Sequence, residues 1–239
     1  MIVLFTDFGL EGPYVGQMKA VLHRDAPGVP IIDLFSDAPA FDIAAAAHLL
    51  AAYVSEFATD TVFLCVVDPG VGTASREPVI ARIDERWFVG PDNGIFDIVA
   101  ARAEQAAWRH VLWRPVSLSA SFHGRDLFAP VAARLATREI VDSRPAPDRE
   151  RMAGDELARV IYIDRFGNAM TGLRGEKLAH NALVEAGGYR LRRARTFGEV
   201  APGEAFWHDN ANGLVEIAVN QGRACDALNL KIATPIKIV

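Results

Sequence analysis

Four short stretches in the first 126 residues of this sequence place ionisable side chains beside glycine, each directly after an apolar run or just ahead of a helix. Residues 66–77 read VVDPGVGTASRE. Asp68 ends the apolar run VFLCVV, Pro69 stiffens the exit, and Gly70 and Gly72 let backbone approach a small ligand closely. Arg76 follows where the turn can fold back toward Asp68. TDFG puts Asp7 behind the first apolar run, GPDNG puts Asp92 and Asn93 behind another, and SFHGRD sets His123 and Gly124 ahead of a helix whose first residues include Asp126. A carboxylate and an imidazole can orient a water and accept its proton. A guanidinium stays charged at any working pH and favours an anion beside it. Taken singly, each stretch also reads as an ordinary turn or helix cap. Four of them at sheet ends in one domain point to a site.

The elements that must position these groups alternate. IVLFT (2–6), PIIDLF (30–35) and TVFLCVV (61–67) read as buried strands. A helix is expected from Pro13 to His23, with proline in its first turn. A second is expected over 42–57, where Ile43, Ala46, Ala47, Leu50, Tyr53, Val54 and Phe57 recur at three and four and Asp42 can cap the start. PVIARID and RWFVG read as a hairpin, and 126–137 as a further helix. Strands alternating with helices predict an α/β domain over 1–140 with a mostly parallel, Rossmann-like sheet. In such sheets ligands bind beyond the carboxyl ends of the strands, where Asp7 and Asp68 fall.

Residues 141–157, VDSRPAPDRERMAGDEL, carry no apolar period and read as a linker. Beyond them ARVIYID, ALVEAGGYRLR, GLVEIAV and PIKIV are short strands with glycine-containing turns. They predict a smaller all-β domain over 158–239, a barrel or a sandwich. DRFGN (164–168) and DNANG (209–213) are hairpin-turn candidates. Phe166 is an unusual aromatic for a turn and is suited to stacking on a base.

Composition narrows the classes. The 239 residues are 51% hydrophobic, enough for a substantial core. The net charge of −5 argues against a nucleic-acid partner, and the one basic cluster, RLRRAR (190–195), is short enough to be a solvated edge strand. Two cysteines, Cys65 and Cys225, give neither a disulfide framework nor a zinc spacing. No apolar stretch is long enough for a membrane span, and the opening run MIVLF is too short for a signal peptide. The expected location is cytoplasmic.

In order, TDFG with YVGQMK, VVDPGVG followed by arginine, PDNG, FHGRDLFAP, DRFGN and GLVEIAVNQG resemble one family over nearly the whole chain. It is the S-adenosylmethionine (SAM) hydrolases, or SAM hydroxide adenosyltransferases, relatives of fluorinase and chlorinase. The resemblance implies hydrolysis of SAM to adenosine and methionine by water attacking ribose C5′, with no cofactor and no metal. It also implies a homotrimer whose sites lie between one subunit's N-domain and a neighbour's C-domain. By the same resemblance the water-activating trio falls on Asp68, Arg76 and His123, with the base left open between Asp68 and His123. Asp7 would hold the ribose hydroxyls, with Phe41 the aromatic near the sugar and Phe8 a further substrate-binding apolar neighbour. The Gly124 N–H would lie close to the nucleophile, and Ser121 would be a substrate-binding hydroxyl. The methionine end and adenine would fall to Asp164, Phe166 and Asn168, with Phe197 an aromatic neighbour. Four places depart from the family pattern. Gly12 stands where an aspartate is common, Ala211 where a serine is, and Ser121 where a threonine is, and an extra residue precedes Arg76. Two other readings use the same groups. One is a metal-dependent phosphohydrolase built on Asp7, Asp68, Asp92, Asn93 and His123. The other is a SAM or nucleoside binder without turnover.

Overall fold

Five consecutive buried residues, Ile2–Thr6, form strand β1, and the parallel strands β2 (Ile31–Phe35) and β3 (Val62–Val66) flank it. The computed structural model describes residues 1–72 and 77–239. They divide into two units, Met1–Gly154 and Asp155–Val239.

In the first unit, helix α1 (Tyr14–Asp25) follows β1, and α2 (Ile43–Tyr53) follows β2. Asp42 caps α2, its carboxylate accepting the Ala45 N–H at 3.0 Å. After β3 come the hairpin β4 (Pro78–Ile83) and β5 (Arg86–Pro91), the short α3 (Asp97–Ala101), β6 (Ala106–Val111), α4 (Ala129–Ala136) and β7 (Ser143–Pro145). The sheet order is β2-β1-β3-β5-β4-β6-β7. The expected parallel sheet is found over β2-β1-β3-β5, whereas β4, β6 and β7 each run antiparallel to their neighbours. The sheet is therefore mixed. The reason is local: only Asp84 and Glu85 separate β4 from β5, both with positive φ (42° and 64°). A two-residue turn of that hand can only return the chain antiparallel.

Both faces of β1 and β3 are covered, so β3 has no wet side, whereas β2, which reads as a buried strand, lies at the sheet edge with Ile32 and Asp33 exposed. Val62, Leu64 and Val66 pack into a cluster with Met18 and Leu22 of α1 and Val131 of α4. On the opposite face Phe63 stacks on Phe88 at 5.0 Å. Each such side chain, fully buried, contributes about 1.5–3 kcal/mol.

Much of the stretch that reads as a linker is folded onto this unit. β7 pairs with β6, and Arg149 and Arg151 reach Asp97 at 2.8 Å and 3.2 Å. Its arginines interrupt any apolar period, yet they are the groups that neutralise a carboxylate that is only 1% exposed.

The second unit is all β apart from short helical turns. Its strands are β8 (Leu157–Ile163), β9 (Ala169–Arg174), β10 (Val184–Ala186), β11 (Tyr189–Leu191), β12 (Ala205–Asp209), β13 (Leu214–Val219) and β14 (Lys237–Ile238). They form two antiparallel sheets, β12-β13-β9-β8 and β11-β10-β14, around Trp207, whose indole N–H donates to the Ala182 carbonyl at 3.1 Å. DNANG is a turn: Asn210 Oδ1 accepts the N–H groups of Asn212 and Leu214 at 3.0 Å each. Cys65 and Cys225 are unpaired. Among the described residues no helix is long and apolar enough to cross a membrane.

Candidate active site

β1 and β3 stay in register up to Thr6 and Val66, so Asp7 and Asp68 leave neighbouring strands at the same sheet edge. A cavity of about 320 Å³ opens there. Seven residues singled out from the sequence line it: Asp7, Phe8, Phe41, Asp68, Ser121, His123 and Gly124. They come from four segments, the outermost more than a hundred residues apart, and the sheet edge brings them together.

Each is held by identifiable contacts. The Gly70 N–H donates to Asp68 Oδ1 at 3.2 Å, closing the turn that follows β3. Gly72 adopts φ 80°, and a Cβ there would lie 2.6 Å from the Ala120 carbonyl oxygen. The DPGVG turn thus packs backbone to backbone on the loop that carries Ser121. His123 precedes a single π-helical turn, Gly124–Phe128, that runs into α4. A side chain at Gly124 would meet Met18 Sδ and Phe8 Cζ at 3.2 Å, so α1 and the end of β1 press directly on this turn. Asp126 acts as a tie rather than a simple helix-start residue. It accepts the Ser119 N–H at 2.9 Å and Arg125 Nε at 2.6 Å, while Arg125 Nη1 donates to Gln17 Oε1 of α1 at 2.9 Å. The Arg125 hydrogen bond holds the Asp126 carboxyl below the usual range.

Asp7 is shifted the other way. Burial raises its pKa, the N–H groups of Phe41 and of Asp7 itself lower it, and the nearby Asp68 charge raises it again, for a net rise. Two carboxylates at one edge give the cavity wall negative potential, which suits a cationic substrate. The apolar wall is a triangle of rings, Phe8 to Tyr14 at 5.8 Å, Phe8 to Phe122 at 5.8 Å and Tyr14 to Phe122 at 5.3 Å. Tyr14 was not among the sequence-derived candidates. The signal for it is its place as the first residue of α1 in YVGQMK, one turn from the sheet edge.

Other candidates lie elsewhere. Asp92 turns away from the cavity to His110 Nε2 at 3.1 Å and to Arg149 at 2.8 Å. Asn93 binds backbone on either side of it, Val67 O and Ile95 N. The five-residue metal set is therefore not assembled, and among the described residues no group of three or more His, Cys, Asp or Glu side chains is arranged to hold a metal ion. Arg76 lies outside the described residues.

In the second unit, DRFGN is a tight hairpin. Asp164 Oδ1 accepts the Asn168 N–H at 2.8 Å, and Asp164 Oδ2 accepts Asn168 Nδ2 at 3.0 Å. Those two side chains shape the loop, and Phe166 stands at its tip, 74% exposed. Phe197 packs edge-on against the buried Phe206 at 5.2 Å and lies 5.6 Å from His208.

Comparison with known proteins covers both units. The model of the SAM hydroxide adenosyltransferase N-terminal domain matches residues 2–143, and that of the C-terminal domain matches residues 158–237. The chain is 38% identical to the (R)-S-adenosyl-L-methionine hydrolase of Thermus thermophilus, over 100% of this chain and 99% of that protein. It is also 38% identical to the enzyme of that name from Salinispora tropica, over 94% and 92%. The crystal structure of an uncharacterized conserved protein from Thermotoga maritima superposes with a TM-score of 0.88 at 34% identity, covering 100% of both chains.

Proposed function

This chain belongs to the SAM hydroxide adenosyltransferase family, and from that membership we infer that it hydrolyses S-adenosyl-L-methionine to adenosine and L-methionine. The observation that carries the mechanism is the convergence of Asp7, Asp68 and His123 on one cavity at the end of β1 and β3.

The leaving group is a sulfonium that becomes a neutral thioether, so it needs no proton. The difficulty lies with the nucleophile, because neutral water is poor and hydroxide is scarce near neutral pH. In our reading Asp68 and His123 orient a water in line with the C5′–S bond, and one of them accepts its proton. Arg76, assigned from sequence alone, stabilises the hydroxide-like oxygen. In-line positioning supplies up to roughly 7–11 kcal/mol of barrier reduction. Asp7 holds the ribose hydroxyls and, with Asp68, attracts the sulfonium cation. Phe8, Phe41 and the neighbouring rings exclude bulk water, which favours a reaction in which opposite charges cancel. The Gly124 N–H lies beside the nucleophile, and Ser121 contributes a hydroxyl to the substrate cavity. No metal is needed for these steps.

Asp164, Phe166, Asn168 and Phe197 are read as the adenine and methionine contacts, supplied by a neighbouring copy in a homotrimer. The exposed Phe166, and the exposed Phe41 that lines the cavity, support a site that a second copy covers. The second unit is read as a barrel, because isolated bridges Arg193↔Trp207 and Arg159↔Pro235 would join its two sheets at both edges. A cytoplasmic location accords with two unpaired cysteines.

The test is to incubate the EDTA-treated protein with SAM in ¹⁸O-water and analyse the products by mass spectrometry. Adenosine labelled at the 5′-oxygen, with free methionine, is the expected result. Unchanged substrate, or activity only with added divalent ions, would overturn the reading.

A further inference from the structure

We propose that Asn93 is a positioning residue for hydrolysis, fixing the Val67–Asp68 peptide and through it the direction of the Asp68 carboxylate. The inference rests on the role given to Asp68 above.

The need for such a residue follows from where β3 loses its partners. Its pairing with β5 ends at Leu64↔Val89, and its pairing with β1 ends at Thr6↔Val66. Val67 is one residue further on and fully buried. Its carbonyl is out of reach of the ladder and out of water, and a buried carbonyl needs a donor. Asn93 Nδ2 supplies it at 2.8 Å. That carbonyl belongs to the same peptide plane as the Asp68 nitrogen, so the bond sets the plane from which the Asp68 side chain departs.

The second end of the carboxamide is also used. Asn93 Oδ1 accepts the Ile95 N–H at 3.2 Å across Gly94, whose φ is 105°, and the Asn93 N–H donates to the Pro91 carbonyl at 2.9 Å. The side chain must therefore donate in one direction and accept in the other. Asparagine does both, whereas an aspartate of the same shape only accepts. Asn93 itself does not line the cavity. Its influence on the reaction passes through Asp68.

Asn93→Asp keeps the bond to Ile95 but sets an anionic oxygen against the Val67 carbonyl, and Asn93→Ala removes both bonds. Displacing a reacting group by about 1 Å costs on the order of a hundredfold in rate. Both variants should lower kcat at least about tenfold while KM and the SAM Kd stay within about twofold, the pattern of an interaction that matters only in the transition state. Thermal melts should show a folded protein, a readout that separates positioning from mere support. A folded variant with wild-type kcat, or one whose loss lies wholly in KM, would overturn the proposal. Failure of both variants to fold would assign Asn93 to stability instead and overturn it too. Wild-type protein that leaves SAM intact would count against the hydrolase reading, a failure distinguishable from the others because it needs no variant.

Discussion

Phe41 lines the same cavity as Asp7 from a left-handed conformation, φ 61°, and the residue is 78% exposed. A non-glycine residue held there stores on the order of 1–3 kcal/mol of strain, which persists only where the surroundings impose it. The position is therefore unfavourable twice over, in backbone and in exposed apolar area, and both costs are recovered if the ring meets substrate.

Phe41→Ala and Phe41→Gly separate the two effects. Both remove the ring and should raise KM for SAM by roughly tenfold, in line with the ~1.4 kcal/mol scale of one aromatic contact. The glycine variant also relieves the strain, so it should be more stable than the alanine variant by about 1–2 kcal/mol in denaturant melts. Equal stability of the two would show that the conformation carries no strain, and an unchanged KM would remove Phe41 from the site.

His123→Ala, Asp68→Asn and Arg76→Ala should each lower kcat at least about tenfold, the lower end of what positioned acid–base groups contribute. Melting temperatures should stay close to wild type, because the two described side chains are only partly buried at a cavity wall. A fully active, folded variant would exclude that residue from the mechanism.

Arg149 joins two buried carboxylates, Asp92 and Asp97, whose side chains are 7% and 1% exposed. Arg149→Ala leaves them with less compensation and should cost about 3–5 kcal/mol. The pH dependence has a definite sign. Burial alone would raise the Asp92 pKa, but hydrogen bonds from Arg149 and His110, with the Arg149 and Arg151 charges, outweigh it and hold the carboxyl below its usual value. Its stabilising contribution is thus fully present above the ordinary carboxylate range and is lost as pH falls through the lowered value. The stability gap between wild type and variant, followed by denaturant melts, should be constant near neutrality and narrow in acid. A gap independent of pH would mean that Asp92 does not titrate against Arg149.

β1, β3 and the hairpin were legible because their apolar runs are buried on both faces, and α1 and α2 because of their helical patterning, whereas β2 read as buried yet lies half exposed at the sheet edge. Asp7, Asp68 and His123 could be placed at one site because strand ends in such sheets share an edge. What escaped was less regular. β6 opens on two exposed alanines and keeps its buried residues at the far end, so its sequence, AAWRHV, has no clean two-residue period. The packed part of 141–157 escaped because arginine reads as solvent-facing unless its buried partner is known, and Asp97 carries no local sign of burial. Tyr14 escaped because its neighbours Phe8 and Phe122 meet it only in three dimensions. Asp92 and Asn93 share a motif yet take different partners, Asp92 the His110 and Arg149 side chains and Asn93 the Val67 carbonyl, which spacing alone cannot reveal.

The mixed sheet has a kinetic consequence. β4 and β5 are neighbours in sequence, joined by Asp84 and Glu85, whereas β1 must find β3 across some sixty residues. Loop closure over long separations is entropically costly, and non-local parallel pairing is slow. Pulse-labelled hydrogen exchange should therefore find amides of 78–91 protected before those of 2–6, and simultaneous protection would contradict this order. Because Asp7 and Asp68 meet only when β1 docks on β3, a nascent chain would acquire its compact hairpin early and its chemistry last. Partly folded molecules would then be unable to consume a metabolite the cell needs elsewhere.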